Sequence, residues 1–391
     1  MPPSFNPNFI ATFRPPVMEA RRWLEEATFT PEHPLINVSQ AAPVEPPPEP
    51  LLQALAESVL TDPEAHLYGP VLGLPELRAE IASQWSSAYG GTIAPDQVAI
   101  TSGCNQAFCA SIATLAGAGD AVILPAPWYF NHKMWLDMAG IETRTLMCGD
   151  DMLPDVAQAA ALITPNVKAI VLVTPNNPTG AEYPATLVRA FYELAKSHGI
   201  ALIVDETYRD FDSRNGAPHD LFTDPDWERT LIQLYSFSKA YRLTGHRVGA
   251  LIAGRDHLVE IEKFLDTQTI CPNQLGQRAA LFGMRNLREW LAGERLEILD
   301  RRVAITQAFT TLPGWTLKGS GAYFAYAEHP YDMPSDQLAQ AIVKHSAALM
   351  LPGTMFCPPN TSGEKHMRIA FANVDRGGIA QLFERLALLR L

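Results

Sequence analysis

The sequence predicts an α/β fold: a mostly parallel central sheet in a large domain, followed by a smaller α+β domain. Three observations carry this. Short apolar runs alternate with amphipathic helical patterns between about residues 50 and 285, which is the rhythm of βα units. Polar residues gather directly after those runs, where open α/β sheets place their ligands. Beyond residue 285 the rhythm stops, and a long charged helical stretch leads into isolated strand-like segments.

Taken in order, residues 1–45 are proline-rich and lack the βα alternation. They are expected to form an arm that folds back onto the smaller domain or covers the cleft. Pro46, Pro47, Pro48 and Pro50 read as a stiff connection. Residues 46–285 make up the expected large domain. Its helical periodicity is clear at 51–60 and 74–89, and strands are expected at 98–101, 121–124, 169–174, 200–204, 231–235 and 248–253. Helices are expected at 104–116 and 185–198, the latter closed by Gly199, because glycine takes the left-handed helix-ending conformation without a Cβ clash. Residues 286–391 form the expected smaller domain, with a helix from 286 to about 310 and strands near 322–327 and 367–371.

The chain has 391 residues, a net charge of −12 and a hydrophobic fraction of 47%, enough to bury a large core and enclose a cleft. The acidic balance argues against non-specific binding to nucleic acid or anionic membranes, both of which need clustered Lys and Arg. An anionic ligand must then be held by local groups. Cys104, Cys109, Cys148, Cys271 and Cys357 are odd in number and contain no Cys-x-x-Cys pair, so neither a disulfide framework nor a zinc site is indicated. A reducing, cytoplasmic setting follows. No signal-peptide pattern opens the chain and no apolar run approaches a membrane span.

The residues after the strands carry the chemistry. Ser236-Phe237-Ser238-Lys239 follows the apolar run 231–235, and Arg247 lies eight positions beyond the lysine. A lysine there is costly unless its amine is paired, neutral or covalently used, although alone it reads equally well as a solvated surface residue. It does not stand alone. Asp205 ends the run 200–204 and is followed by Tyr208; a carboxylate with poor solvent access wants a cationic partner, such as a protonated pyridine nitrogen, or else caps the next helix. Asn177 sits in the turn Thr174-Pro175-Asn176-Asn177-Pro178-Thr179-Gly180, where it and Tyr208 are placed to donate to a phenolate oxygen, though Asn-Pro turns are also generic.

Thr101-Ser102-Gly103-Cys104-Asn105-Gln106 runs from strand into helix, and the free N–H groups of such a turn suit a phosphate. Ser236, Ser238 and Arg247 would complete that cup. Tyr129, after Pro127-Trp128, is an aromatic able to lie on a heteroaromatic ring or simply pack in the core. No metal-ligand cluster is recognisable, and His132, His246 and His366 are read as structural or peripheral.

Together these motifs resemble the class I and II aminotransferases, a family of fold-type-I enzymes dependent on pyridoxal 5'-phosphate (PLP), from about residue 34 onward. The resemblance implies that Lys239 is the Schiff-base lysine and proton carrier, Asp205 the pyridine-nitrogen partner, Asn177 and Tyr208 the ring-oxygen donors, and Tyr129 the stacking ring. It implies phosphate contacts from Gly103, Cys104, Asn105, Ser236, Ser238 and Arg247. Tyr68, in Leu67-Tyr68-Gly69-Pro70, would reach the phosphate of a partner subunit, which implies a homodimer. Arg368 would clamp the substrate α-carboxylate, with Asn177 and Ala41 beside it, and the Asn177–Pro178 bond would be cis. Ala41 stands where the family usually carries Gly, Cys104 and Asn105 are uncommon in the phosphate turn, and Cys357 replaces a usual Gly; these departures leave the substrate side chain open.

The expected activity is ping-pong transfer of an amino group from an L-amino acid to a 2-oxo acid. The alternative is a β-eliminating PLP lyase of the same fold, which would release pyruvate or ammonia without an acceptor. A regulatory module carrying an aminotransferase-like domain is disfavoured, since no basic N-terminal DNA-binding segment is recognisable.

Overall fold

The computed structural model describes residues 3–391. Near the N-terminus, β1 (Ile36–Asn37) is followed by seven strands that form one sheet: β2 (Val98–Thr101), β3 (Ala121–Ala126), β4 (Glu142–Met147), β5 (Val167–Val173), β6 (Ala201–Asp205), β7 (Leu231–Ser236) and β8 (Gly249–Ile252). Their spatial order is β2-β8-β7-β6-β5-β3-β4. All neighbours are parallel except β8, which runs antiparallel to both β7 and β2.

Alternate residues of each central strand feed two different cores, which is why those strands read as unbroken apolar runs. Ile170, Leu172, Leu202, Val204, Ala250 and Ile252 pack on one face with Leu77, Ile81, Phe191 and Ala280, residues of the helices Pro75–Tyr89, Ala185–His198 and Gln274–Asn286. Ala169, Val171, Ala201, Ile203, Leu251 and Ala253 pack on the other with Phe108, Leu136, Leu258 and Ile261, residues of Cys104–Leu115, Phe130–Met138 and Arg255–Thr269. Gly199 closes Ala185–His198 at φ 63°, in the left-handed conformation expected of it.

Further along, β9 (Thr316–Gly321), β10 (Phe324–Glu328), β11 (Ala348–Leu349), β12 (Leu351–Pro352) and β13 (His366–Ile369) follow. Four of them form an antiparallel sheet ordered β12-β13-β10-β9. A third core, with Ile298, Ile305, Leu338, Ile342 and Leu382, covers it; these belong to the helices Arg288–Phe309, Ser335–Ser346 and Arg376–Leu388. Ile36 and Val38 join that core, and β1 pairs in parallel with β11.

Three features differ from the sequence reading. β4 is an edge strand with a mostly half-exposed Glu-Thr-Arg-Thr segment, and β9 is half-buried and contains two glycines; neither has an apolar run to mark it. The charged helix near 286–310 is preceded by a separate helix, Gln274–Asn286, with Leu287 at φ −114° between them.

Candidate active site

The C-terminal ends of β5, β6 and β7, the start of Cys104–Leu115 and the β13 strand converge on one cavity of about 660 Å³. Of the residues singled out by sequence, Ala41, Cys104, Asn105, Tyr129, Asn177, Asp205, Tyr208, Ser236, Ser238, Lys239, Arg247 and Arg368 all line it, and Gly103 caps the helix at its edge.

Lys239 stands on the single-turn helix Phe237–Ala240 directly after β7, a turn started by Ser236. Its Nζ donates to the Ala41 carbonyl at 2.6 Å and sits 5.8 Å from the centre of the Tyr208 ring. Burial, with help from the Arg247 and Arg368 charges, lowers its pKa to about 7, so near neutrality a large fraction of the amine is unprotonated.

Asp205 ends β6 with 3% of its surface exposed. Burial alone would raise its pKa, but contact with His132 and two hydrogen bonds from Thr207 win and hold the carboxyl below the usual range. Thr207 donates its backbone N–H at 3.0 Å and its hydroxyl at 2.7 Å to Oδ1, while His132 Nε2 lies 3.3 Å from Oδ2. His132 is itself stacked on Phe108 at 3.8 Å. The sequence reading set His132 aside as structural or peripheral. The structure puts it behind the site carboxylate, and no linear pattern announced this, because residues 132 and 205 come from separate βα units.

The turn before Cys104–Leu115 has Gly103 at φ 84°. A Cβ there would lie 2.2 Å from Arg247 Nη2, so only glycine admits the guanidinium this close to the helix N-terminus. Arg247 also donates to Ser238 Oγ at 3.3 Å and to the Thr244 carbonyl at 3.0 Å. Burial pushes the Cys104 thiol well up, which leaves it a weak donor rather than a thiolate. Tyr129 donates to Asn105 Oδ1 at 3.2 Å and meets His132 edge-on at 5.0 Å.

Arg368, on β13, is 2% exposed. Its Nη1 donates to Asn177 Oδ1 at 2.9 Å and its Nη2 to the Ser39 carbonyl, while Phe324 and Phe356 flank it at 5.1 and 4.8 Å. Burial lowers its pKa to about 10, and Nε has no hydrogen-bond partner among the described residues. A buried guanidinium with unused capacity asks for an anion. The Asn177–Pro178 bond is cis, as the resemblance implied. Tyr208 is buried and its hydroxyl pKa is raised well above normal, by burial first and then by Tyr129, so it remains a donor.

Tyr68 and the arm helix Pro16–Arg22 depart from the sequence picture of the site. Tyr68 does not line this chain's cavity and is 77% exposed. The arm helix Pro16–Arg22, in contrast, does line it, through Pro16, Val17, Met18 and Arg21, while Ile36 and Val38 further along pack in the core of the smaller sheet.

A nucleophilic lysine, a buried carboxylate held ionised, a glycine-admitted guanidinium at a helix N-terminus and a partly unsatisfied buried arginine suit one ligand with an aldehyde, a basic ring nitrogen and a phosphate, plus a carboxylate beside it. Fold and cavity therefore fit a PLP-dependent enzyme acting on an amino acid. Residues 33–386 match the model of the family described as aminotransferase class I and II, and the chain belongs to that family. It is similar to a valine–pyruvate aminotransferase of Mycobacterium tuberculosis, with 30% identity over 95% of both chains. It is also similar to an aromatic aminotransferase of Arabidopsis thaliana, 29% identical over 88% of this chain and 86% of the relative. The fold matches an aspartate aminotransferase of Thermus thermophilus solved with maleate, at TM-score 0.89 and 22% identity, covering 98% of this chain and 99% of the other. Among the described residues no helix is long and apolar enough to cross a membrane.

Proposed function

We propose that this aminotransferase moves the amino group of an L-amino acid to a 2-oxo acid in two half-reactions through the cavity around Lys239, with ping-pong kinetics. The observation that carries this is the lysine itself: a primary amine with a pKa lowered to about 7 in a cavity it shares with a buried carboxylate and a buried arginine. When bound, PLP supplies an electron-withdrawing ring conjugated to the substrate nitrogen, which acidifies the substrate Cα.

The chain's own residues do the rest. Lys239 Nζ would hold the cofactor through its aldehyde carbon and would carry the proton that leaves the substrate Cα. Asp205, kept ionised by Thr207 and His132, keeps the pyridine nitrogen protonated. Asn177 Oδ1 accepts from Arg368, which leaves its amide N–H groups free to join the Tyr208 hydroxyl as donors to the ring oxygen the cofactor would place there. Tyr129, which lines the cavity, would stack on the ring. The N–H groups of Cys104 and Asn105, the hydroxyls of Ser236 and Ser238, and the Arg247 guanidinium would hold the phosphate, with Gly103 shaping the turn while its own N–H donates to the Thr101 carbonyl at 2.8 Å. Arg368 holds the substrate α-carboxylate, and the Ala41 carbonyl, 2.6 Å from Nζ, orients the lysine.

In this reading the arm of residues 1–45, the large domain of 46–285 and the smaller domain of 286–391 are the working parts, with the arm over the cleft. The enzyme is a cytoplasmic homodimer in which Tyr68 enters the partner's site. The exposure of Tyr68 at 77% and of the adjacent Leu67 at 57% supports a second copy covering this segment, and five free cysteines suit a reducing compartment.

A panel of amino donors, followed by loss of the cofactor's absorbance and by identification of the released acid, tests the reading. A stoichiometric 2-oxo acid in the absence of acceptor, followed by amino-acid formation when an acceptor is added, is expected. Continuous pyruvate and ammonia release without acceptor would assign the β-eliminating lyase instead.

A further inference from the structure

Asp205, Lys239, Arg247 and Arg368 line the cavity and are engaged above; Arg21 lines it too and is not. It projects from the helix Pro16–Arg22, and its Nη2 donates at 2.9 Å to Gln40 Oε1, a neutral amide that also lines the cavity. Its neighbours Arg14 and Arg22 both pair with Glu19. Among the described residues Arg21 has no carboxylate within ion-pair distance. Gln40 directly follows Ser39, whose carbonyl accepts from Arg368. Two consecutive residues of one segment thus hold two guanidinium groups toward the same space.

Charge decides what that space takes. With a phosphate on Arg247 and an α-carboxylate on Arg368, the cavity keeps one cation without an anion. A guanidinium facing a cleft walled by Pro15, Val17, Met18 and Phe130 gains from a second carboxylate, because the charge-assisted pair outweighs its bond to a neutral amide. The same apolar wall suits the methylene stem between two carboxylates.

We propose that Arg21, positioned by Gln40, is a specificity-determining residue that binds the side-chain carboxylate of an acidic substrate: a dicarboxylic 2-oxo acid of four or five carbons, or the matching amino acid. This rests on the transaminase reading. Carboxylate for amide exchange at Arg21 is the step that admits the acidic substrate; a neutral substrate leaves the Arg21–Gln40 bond in place.

The test compares the holoenzyme with its Arg21→Gln and Arg21→Lys variants, using 2-oxoglutarate or pyruvate as acceptor. Separately, glutarate and butyrate binding is measured by tryptophan fluorescence. Arg21→Gln is expected to lower the kcat/KM ratio of 2-oxoglutarate over pyruvate by on the order of tenfold or more, through KM rather than kcat. Arg21→Lys is expected to restore part of this, and glutarate binding should weaken in parallel while butyrate binding does not. An unchanged acceptor ratio, or glutarate binding indifferent to Arg21→Gln, overturns the proposal. If the native enzyme transfers to neither acceptor, the transaminase reading fails, and the glutarate titration still decides the role of Arg21.

Discussion

Replacing Lys239 by methionine removes an amine that folding makes costly to protonate, and the consequence is a pH-dependent gain in stability of the cofactor-free protein. In the folded chain the pKa falls from 10.5 to about 7, through burial first and the Arg247 and Arg368 charges second. The unfolded chain keeps the ordinary value. Between these two values the unfolded state binds a proton that the folded state does not, so stability rises with pH across this window. Below about pH 7 the full penalty is present, on the order of 5 kcal/mol at about 1.4 kcal/mol per pH unit; above about pH 10.5 it is gone. The methionine variant lacks this contribution and fills much the same space. Its advantage over the native protein should therefore shrink by about 2.5 kcal/mol between about pH 7.5 and pH 9.5. Urea unfolding of both cofactor-free proteins at the two pH values and one fixed protein concentration reads the difference directly. A stability difference that does not change with pH would show that the lysine keeps its ordinary pKa, and the argument for an amine poised near neutrality would be refuted.

Other perturbations follow from the same geometry. Arg368→Met should raise KM for amino donors by on the order of a hundredfold through loss of a buried charge-assisted pair, and should also raise the Lys239 pKa of the cofactor-free protein because Arg368 helps depress it; steady-state kinetics and the pH dependence of the cofactor-free protein's urea stability check the two halves. Gly103→Ala would set a Cβ 2.2 Å from Arg247 Nη2 at φ 84°, so cofactor affinity should fall by roughly tenfold or more, measured as release of PLP on dilution. Asp205→Asn should cost on the order of a hundredfold or more in kcat, since the pyridine nitrogen loses its ionised partner, while retention of cofactor on a desalting column persists. Thr207→Val removes the 2.7 Å hydroxyl bond to Asp205 and should raise the carboxyl pKa, visible as an upward displacement of the acidic limb of the pH–rate profile.

The central sheet was legible because its strands are buried on both faces and so appear as apolar runs; strand 98–101 agrees with the structure at both ends. The half-exposed strands β4 and β9 were not, since an edge strand with Glu142, Thr143 and Arg144 or a segment holding Gly319 and Gly321 has no apolar run to display. In the site, the residues that follow strands were legible for a related reason: Asp205, Lys239 and Asn177 are polar where burial should forbid it, and each interrupts an apolar pattern. His132 and Arg21 escaped. Both lie on helices, where a basic residue is ordinary, and their significance comes only from what the fold brings beside them, the Asp205 carboxylate in one case and the Gln40 amide in the other. Tyr68 marks the opposite case: its motif stands out in the sequence, while within one chain it points to no site at all.

Reduction of the holoenzyme with borohydride, followed by proteolysis and mass spectrometry of the pyridoxyl-labelled peptide, reaches the covalent bond on which every other assignment depends. A single label on the peptide containing Ser236, Phe237, Ser238 and Lys239 is the expected result. A label on any other lysine, or none on protein incubated with excess PLP, would contradict it.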